Sequence, residues 1–109
     1  MRAFVVEHCP AADEEHRKSK RQYAHVFHRP QVICVARAFE GLPNRLQIAI
    51  LLHEAGHLLA GPRGGEDAAN QAAKRYSGVT ISYRDSRYGD SLEWIRPEDV
   101  SRAKAALGL

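Results

Sequence analysis

The sequence has few of the features that mark secreted or membrane-spanning proteins. It contains two cysteines in 109 residues, too few for a disulfide framework. No apolar run approaches the roughly 20 residues that a membrane-spanning helix needs. Residues 1–7 also become polar too quickly for a signal peptide. We therefore interpret Cys9 and Cys34 as reduced, buried thiols, and we expect a cytoplasmic protein that does not enter the membrane.

The basic balance of the chain could indicate a nucleic-acid-binding patch, but the one basic run lacks aromatic residues. Aromatic residues make up 7% of the chain, and the formal net charge is +3. The basic run Arg17–Arg21 follows three acids and has no interleaved aromatic side chain on which a base could stack. A solvated helix face is the favoured interpretation of this run, and a small basic nucleic-acid-binding module is the less favoured one.

Length and composition indicate one globular domain spanning residues 1–109. The hydrophobic fraction of 44% and the charged fraction of 27% are ordinary for a folded domain. A chain of this length can bury a single modest core.

The most informative segment is His53-Glu54-Ala55-Gly56-His57. Residues four apart lie on the same face of an α-helix, so His53 and His57 can direct ring nitrogens at one metal ion. Glu54 lies about 100° further round the helix. From there it could act as the general base that takes a proton from a zinc-activated water.

Residues 42–60 are predicted to form the helix that carries this motif. Pro43 suits a first helical turn, and Gly61 followed by Pro62 is a stop signal. Apolar residues surround almost the whole helix, which predicts a central position. Gly56 weakens the helix by about 1 kcal/mol relative to alanine, so we expect a strand or a substrate to approach closely there. The residues predicted to face the core are Ile48, Leu51, Leu52, Ala55, Leu58 and Leu59.

A second helix over residues 64–76 offers the third protein ligand of a catalytic zinc site. The tight reversal at residues 61–65 would make the two helices antiparallel neighbours. Glu66 would then begin its helix within reach of His57, and Asn70 could accept a hydrogen bond from the outer N–H of a ligand histidine. Asp67 is the competing ligand, but it points about 100° away from the stripe formed by Glu66 and Asn70.

The two segments H-E-A-G-H-L-L and E-D-A-A-N-Q-A-A resemble the corresponding pattern of ImmA/IrrE-type metallopeptidases and, more distantly, of HtpX-like proteases. These families are gluzincins. The resemblance covers roughly residues 31–77. It implies that His53, His57 and Glu66 bind zinc, that Glu54 is the catalytic base and that Asn70 supports a ligand histidine.

The remaining patterns complete an α+β prediction. Strands are expected at residues 3–7, 23–28 and 31–37, a polar helix at 11–22, a hairpin from 79–83 and 92–95, and a final helix from 97 to 108. The expected fold is zincin-like, with a small antiparallel or mixed sheet packed on the motif helix and on the helix that begins near Glu66.

These patterns predict a zinc-dependent endopeptidase that holds one zinc ion per chain. Tyr83 and Tyr88 are candidate donors to the oxyanion. An extended peptide substrate is expected to add to Gln31–Arg37 as an exposed edge strand. The alternative is a zinc-bound protein-interaction or inhibitory module without significant proteolytic turnover. The sequence leaves the substrate and the oligomeric state open.

Overall fold

The computed structural model describes residues 4–86 and 89–109, and in them the chain forms an α+β fold of four α-helices and two small sheets. Short 3-10 helices, Arg37–Gly41 and Pro97–Asp99, connect some of these elements. The strands and helices in chain order are β1 (Val6–His8), α1 (Pro10–Lys18), β2 (Ala24–His28), β3 (Gln31–Val35), α2 (Asn44–Ala60), α3 (Glu66–Ser77), β4 (Ser82–Ser86), β5 (Gly89–Trp94) and α4 (Val100–Leu107).

Strand β3 lies in the middle of the three-stranded sheet, between β1 and β2. Ile33 pairs with Val6 in the parallel direction and with Val26 in the antiparallel direction. Both edges of β3 are therefore occupied, and the prediction that a peptide adds to residues 31–37 is wrong. The Val-Ile-rich sequence that suggested an accessible strand reflects burial instead, since Ile33 is completely inaccessible to solvent.

Helix α2 is the central element, as its apolar sequence predicts. It follows Pro43 and ends at Ala60, before Gly61, whose φ of 93° is a conformation that favours glycine. Ten of its residues are buried, from Ile48 through Gly56 and at Leu58. Leu59 was expected in the core but is only partly buried.

The close approach predicted at Gly56 is made by helix α3. A Cβ atom built on Gly56 would lie 2.1 Å from the carbonyl oxygen of Ala69 and 2.8 Å from its carbonyl carbon. The partner is therefore the backbone of the neighbouring helix rather than a strand or a substrate. This contact fixes α3 against the part of α2 that carries the two motif histidines.

Strands β4 and β5 form a separate hairpin that packs on α2. Its first strand begins later than predicted, because Val79 and Ile81 are buried in the connection that precedes it. Tyr83 pairs with Glu93 across the hairpin, and the register shifts between Arg84 and Ser86. The hairpin thereby places Tyr83 and Glu93 side by side.

Helix α1 ends at Lys18, four residues earlier than predicted. The basic run is therefore divided between the end of this helix and the segment that leads into β2. Arg21 lies beyond the helix and lines the cavity described below, so it does not belong to a continuous solvated helix face.

Cys9 and Cys34 form a disulfide that joins the start of α1 to β3. The expectation of reduced thiols is wrong. The parallel pairing of β1 with β3 places Glu7 opposite Cys34, which brings Cys9 within bonding reach, and this pairing of two distant segments is not visible in the sequence. The disulfide removes the redox argument for a cytoplasmic location.

Within residues 4–86 and 89–109, none of the helices combines the length and apolar character needed to cross a membrane.

Candidate metal centre

The two motif histidines lie one turn apart on α2, in a T-shaped arrangement with ring centroids separated by 4.7 Å. The side chain of His53 is 1% exposed and that of His57 is 17% exposed. Helix geometry directs both rings to the same face. The structure thus places both histidines at the position that the spacing predicts.

Glu66 is the first residue of α3, and its carboxylate lies against both histidines. Its Oε2 is 2.9 Å from Nε2 of His53, and its Oε1 is 3.0 Å from Nε2 of His57. One ligand atom from each of the three residues lies within 4.8 Å of the others. Asp67 does not belong to this group. The short reversal between the helices is therefore sufficient to bring Glu66 to His57.

Asn70 lies one turn beyond Glu66 and fixes the orientation of His53. Its Nδ2 donates a hydrogen bond to the hydroxyl oxygen of Tyr83 at 3.2 Å, so its Oδ1 faces the imidazole. Nδ1–H of His53 donates to that oxygen at 2.7 Å. The proton on Nδ1 leaves the lone pair of Nε2 available to a metal ion.

The donor set fits a zinc ion. Two atoms bound to one zinc at about 2.0–2.2 Å in tetrahedral geometry lie roughly 3.4 Å apart. The observed separations of 2.9 and 3.0 Å, each to a different oxygen of Glu66, lie within about half an ångström of that value, and the ligand atoms of the three residues all lie within 4.8 Å of one another. Two imidazole nitrogens and one carboxylate oxygen are also the ligand types that catalytic zinc sites use.

Glu54 is 7% exposed, and its carboxyl reaches the cavity beside these three residues. Burial is the main cause that raises its pKa well above the ordinary value of 4.5, and the negative charges of Glu93 and Glu66 raise it further. Within the described parts of the chain, no hydrogen bond or ion pair engages this carboxyl. The residue is buried, but its carboxyl oxygens are open to the cavity, since no buried side-chain oxygen of the described residues lacks a hydrogen-bond partner.

An open cavity of about 530 Å³ adjoins the group. Its walls come from α2, the start of α3, the β4–β5 hairpin and the segment that enters β2. The lining residues are Arg21, Gln22, Tyr23, Ala24, Ile50, His53, Glu54, Glu66, Tyr83 and Glu93.

Glu93 is the cavity residue that sequence reasoning missed. It lies on β5, and its Oε1 is 3.8 Å from Nε2 of His53. Burial raises its pKa, although the charge of His53 opposes that shift. Only the register of the hairpin could have indicated that Glu93 faces the cavity, because a shift of one residue would turn this side chain to the opposite face of the hairpin.

Two further pKa shifts suit a metal site. Burial, together with the charge of His53, lowers the pKa of His57, which favours the neutral imidazole that binds metal. The charge of His28 lowers it slightly more. Burial raises the pKa of Tyr83, so this phenol keeps its proton. Tyr88, the other candidate donor, lies outside the described residues.

No protein-family model matches this chain, and no curated protein or solved structure matches it either.

Proposed function

We propose that this protein is a zinc-dependent peptidase with a zincin-like arrangement of its two metal-binding helices. The observation that carries the proposal is the carboxyl of Glu54, a buried residue whose acid opens on the cavity and has no hydrogen bond or ion pair among the described residues. It lies on the same cavity as the group formed by His53, His57 and Glu66. Burying such a group costs stability, and a catalytic role would explain why the chain retains it.

Zinc, when bound, would supply Lewis-acid activation of water and of the scissile carbonyl. His53, His57 and Glu66 would hold the ion, and the cavity would leave its fourth position open to water or substrate. Asn70 would keep His53 in the tautomer that binds metal.

Glu54 would accept the proton of the attacking water and deliver it to the leaving amine. A general base works best when its pKa lies near the working pH. Burial shifts the pKa of Glu54 in that direction. The same burial leaves the group free of competing hydrogen bonds within the described chain.

Tyr83 would stabilise the oxyanion. Its hydroxyl oxygen accepts a hydrogen bond from Asn70, so its own proton is free to be donated into the cavity. Its ring centroid lies 6.1 Å from that of His53. A donor beside the metal ligands can strengthen as charge develops on the carbonyl oxygen of the substrate.

An extended substrate would lie along β2 rather than β3. One edge of β2 pairs with β3, and β2 is an outer strand of the sheet. Its first residue, Ala24, lines the cavity. Strand addition at this edge would supply backbone hydrogen bonds that are independent of the substrate sequence.

Metal binding is the first test. We expect one zinc ion per chain, measured by elemental analysis. Glu66→Ala should weaken zinc binding far more than the matched variant Asp67→Ala, because only Glu66 contacts both histidines. The opposite ranking would assign the third ligand to Asp67.

Turnover is the second test. Glu54→Gln keeps the size of the side chain and removes its basicity, so we expect peptide hydrolysis to fall by about 10²–10⁴-fold while zinc affinity changes little. Glu98→Gln, at a 65% exposed acid, is the control for loss of one negative charge. A zinc-loaded wild type that cleaves no unstructured protein would favour the interaction or inhibitory module.

A further inference from the structure

Helix α1 packs on the sheet through a small apolar cluster that is separate from the main core. The cluster consists of Ala12, Cys34 and Ala36, with Cys9 and Val32 packed against it. Ala12 is the one buried residue of this helix. Helices α2 and α3 contribute to the main core instead. Burial of a single methyl group stabilises a contact only slightly, so α1 depends on other links to the sheet.

The disulfide is the covalent link between α1 and the sheet. Cys9 directly precedes the helix, and Cys34 lies on β3. The polar links include the hydrogen bond that the backbone N–H of Arg37 donates to Oδ1 of Asp13 at 2.7 Å, near the surface. Water competes for such bonds, so each contributes little net stability. The disulfide is therefore the strongest single link that holds α1 in place.

The turn that follows α1 forms part of the cavity wall. Arg21 and Gln22 line the cavity, and they lie between the end of the helix and Tyr23, which is buried in the main core. The backbone N–H of Ser19 donates to the carbonyl oxygen of Glu15 at 2.9 Å, and that of Gln22 donates to the carbonyl oxygen of Ser19 at 2.9 Å. The backbone of this turn is thus built on the last turn of α1.

His16 connects the same turn to α1 through its side chain. A carbonyl oxygen can only accept a hydrogen bond, so Nδ1–H of His16 donates to the carbonyl oxygen of Gln22, at 3.1 Å. The ring centroid of His16 also lies 4.5 Å from that of Tyr23. A displacement of α1 would carry His16 away and remove this support from the cavity wall.

We propose that the disulfide between Cys9 and Cys34 is a reversible redox switch that controls the order of this part of the cavity wall. Reduction releases α1, residues 19–22 lose their fixed position, and extended ligands bind the cavity more weakly. The metal-binding group is retained, because its three residues lie on α2 and α3. The effect on substrate rests on the proposed peptidase function, whereas the release of α1 does not.

The reductant is a dithiol, and the exposure of the two sulfurs decides where it attacks. Cys34 is 1% exposed, whereas Cys9 is only partly buried, so a thiolate of the reductant attacks Sγ of Cys9. A new S–S bond forms there as the bond to Cys34 breaks, and the Cys34 sulfur leaves with the electron pair and takes up a proton. The second thiol of the reductant then displaces Cys9 in the same way. The two cysteines gain two electrons and two protons, and the dithiol becomes a cyclic disulfide.

Amide hydrogen exchange tests the release of α1 without any ligand. We expect dithiothreitol to accelerate exchange in residues 11–22 of the metal-free protein by about tenfold or more, while α2 and α3 stay protected. Reoxidation should restore the slow exchange. The double variant Cys9→Ala/Cys34→Ala should exchange quickly in these residues with and without the reductant. Unchanged exchange in residues 11–22, or equal acceleration throughout the chain, would overturn the proposal.

Two hydroxamates of different length test the cavity wall in the zinc-loaded protein. Acetohydroxamate is long enough only to bind the metal, whereas acetyl-leucyl-leucine hydroxamate extends along the cavity. Calorimetry compares the oxidised wild type with Cys9→Ala/Cys34→Ala, so that no reductant competes for zinc. We expect the variant to bind the longer compound about tenfold or more weakly, because residues 19–22 must become ordered on binding.

The shorter compound and zinc itself are the internal controls of that comparison. Both should bind the wild type and the double variant equally well. A loss of affinity for acetohydroxamate or for zinc would place the effect at the metal-binding group and overturn the proposal. Equal affinity of the longer compound for both proteins would overturn it as well.

His16→Ala separates the turn from the disulfide. This variant keeps the bond between the cysteines, so α1 should stay protected while residues 19–22 exchange faster and the longer hydroxamate binds more weakly. Glu14→Ala, at an exposed position of the same helix, is the matched control and should change neither value. A His16→Ala variant with wild-type exchange and affinity would overturn the link between α1 and the cavity.

Failure of the switch and failure of the peptidase function have different signatures. Fast exchange confined to residues 11–22 on reduction, in a protein that cleaves no peptide, would support the switch and overturn the peptidase function. Peptide hydrolysis at equal rates by the oxidised wild type and by Cys9→Ala/Cys34→Ala would overturn the switch and retain the peptidase function.

Discussion

Replacing Gly56 with alanine tests whether the packing of two helices holds the metal site together. Alanine is the better helix former, and at an open position it would stabilise α2 by about 1 kcal/mol. At Gly56 the added Cβ would lie 2.1 Å from the carbonyl oxygen of Ala69. Ordinary contacts between carbon and carbonyl oxygen begin near about 3.3 Å, so the two helices must separate by roughly 1 Å.

The expected destabilisation follows from these opposing terms. Overpacking costs about 1–3 kcal/mol, and the upper end applies because the clash is with backbone and not with a flexible side chain. Subtracting the gain in helix propensity leaves a net loss of about 2 kcal/mol. For a chain of this size the melting temperature should fall by roughly 10 °C.

The same separation should weaken metal binding. Asn70 follows Ala69 directly, and its hydrogen bond to His53 is 2.7 Å long. A displacement of roughly 1 Å exceeds what a hydrogen bond tolerates, so we expect zinc affinity to fall at least tenfold. Chemical denaturation and zinc titration measure the two effects. Gly41→Ala, where the added Cβ meets nothing within 4 Å, is the matched control. A Gly56→Ala variant that is more stable than the wild type and binds zinc equally well would refute the argument.

Two further predictions concern groups whose state the structure specifies. Burial raises the pKa of Glu54 above 4.5. In the metal-free protein, protonated Glu54 therefore makes its full contribution to the free energy of unfolding below about pH 4.5. That contribution is lost as the pH rises through the folded-state pKa. Urea titrations should show that the wild type loses more stability than Glu54→Gln over this rise in pH, and parallel curves would contradict the burial of an ionisable carboxyl. The disulfide between Cys9 and Cys34 spans 25 residues, for which loop-closure entropy predicts a loss of about 3.5 kcal/mol on reduction. Denaturation with and without dithiothreitol measures that loss, and equal stability in both conditions would show that the bond contributes nothing.

The sequence was most informative where chemistry depends on spacing within one element. The separation of His53 and His57 is a property of a single helix, and Gly61 ends that helix by a local conformational preference. Glu66 and Asn70 could be placed because the reversal before them is short. These expectations concern neighbours along the chain, so local physical rules were sufficient to derive them.

The errors concern contacts between segments that are distant in the sequence. The disulfide and the central position of β3 both result from the parallel pairing of β1 with β3. No turn or local motif specifies that pairing. Glu93 was missed for a related reason, since its direction depends on a hairpin register that shifts between Arg84 and Ser86. Side-chain direction in a strand alternates, so an unknown register leaves the cavity-facing residue undetermined.

The hydrogen bonds from His53 through Asn70 to Tyr83 connect a helix, its neighbour and a hairpin that belongs to a separate sheet. If the hairpin is ordered only when Tyr83 accepts this bond, the free energy of metal binding and the free energy of ordering the hairpin are coupled. Thermodynamic linkage is reciprocal, so a ligand that immobilises the hairpin would tighten metal binding, and loss of the metal would loosen the hairpin by the same factor. Metal occupancy of the site could then be followed by amide exchange in β4, which holds none of the three proposed ligands.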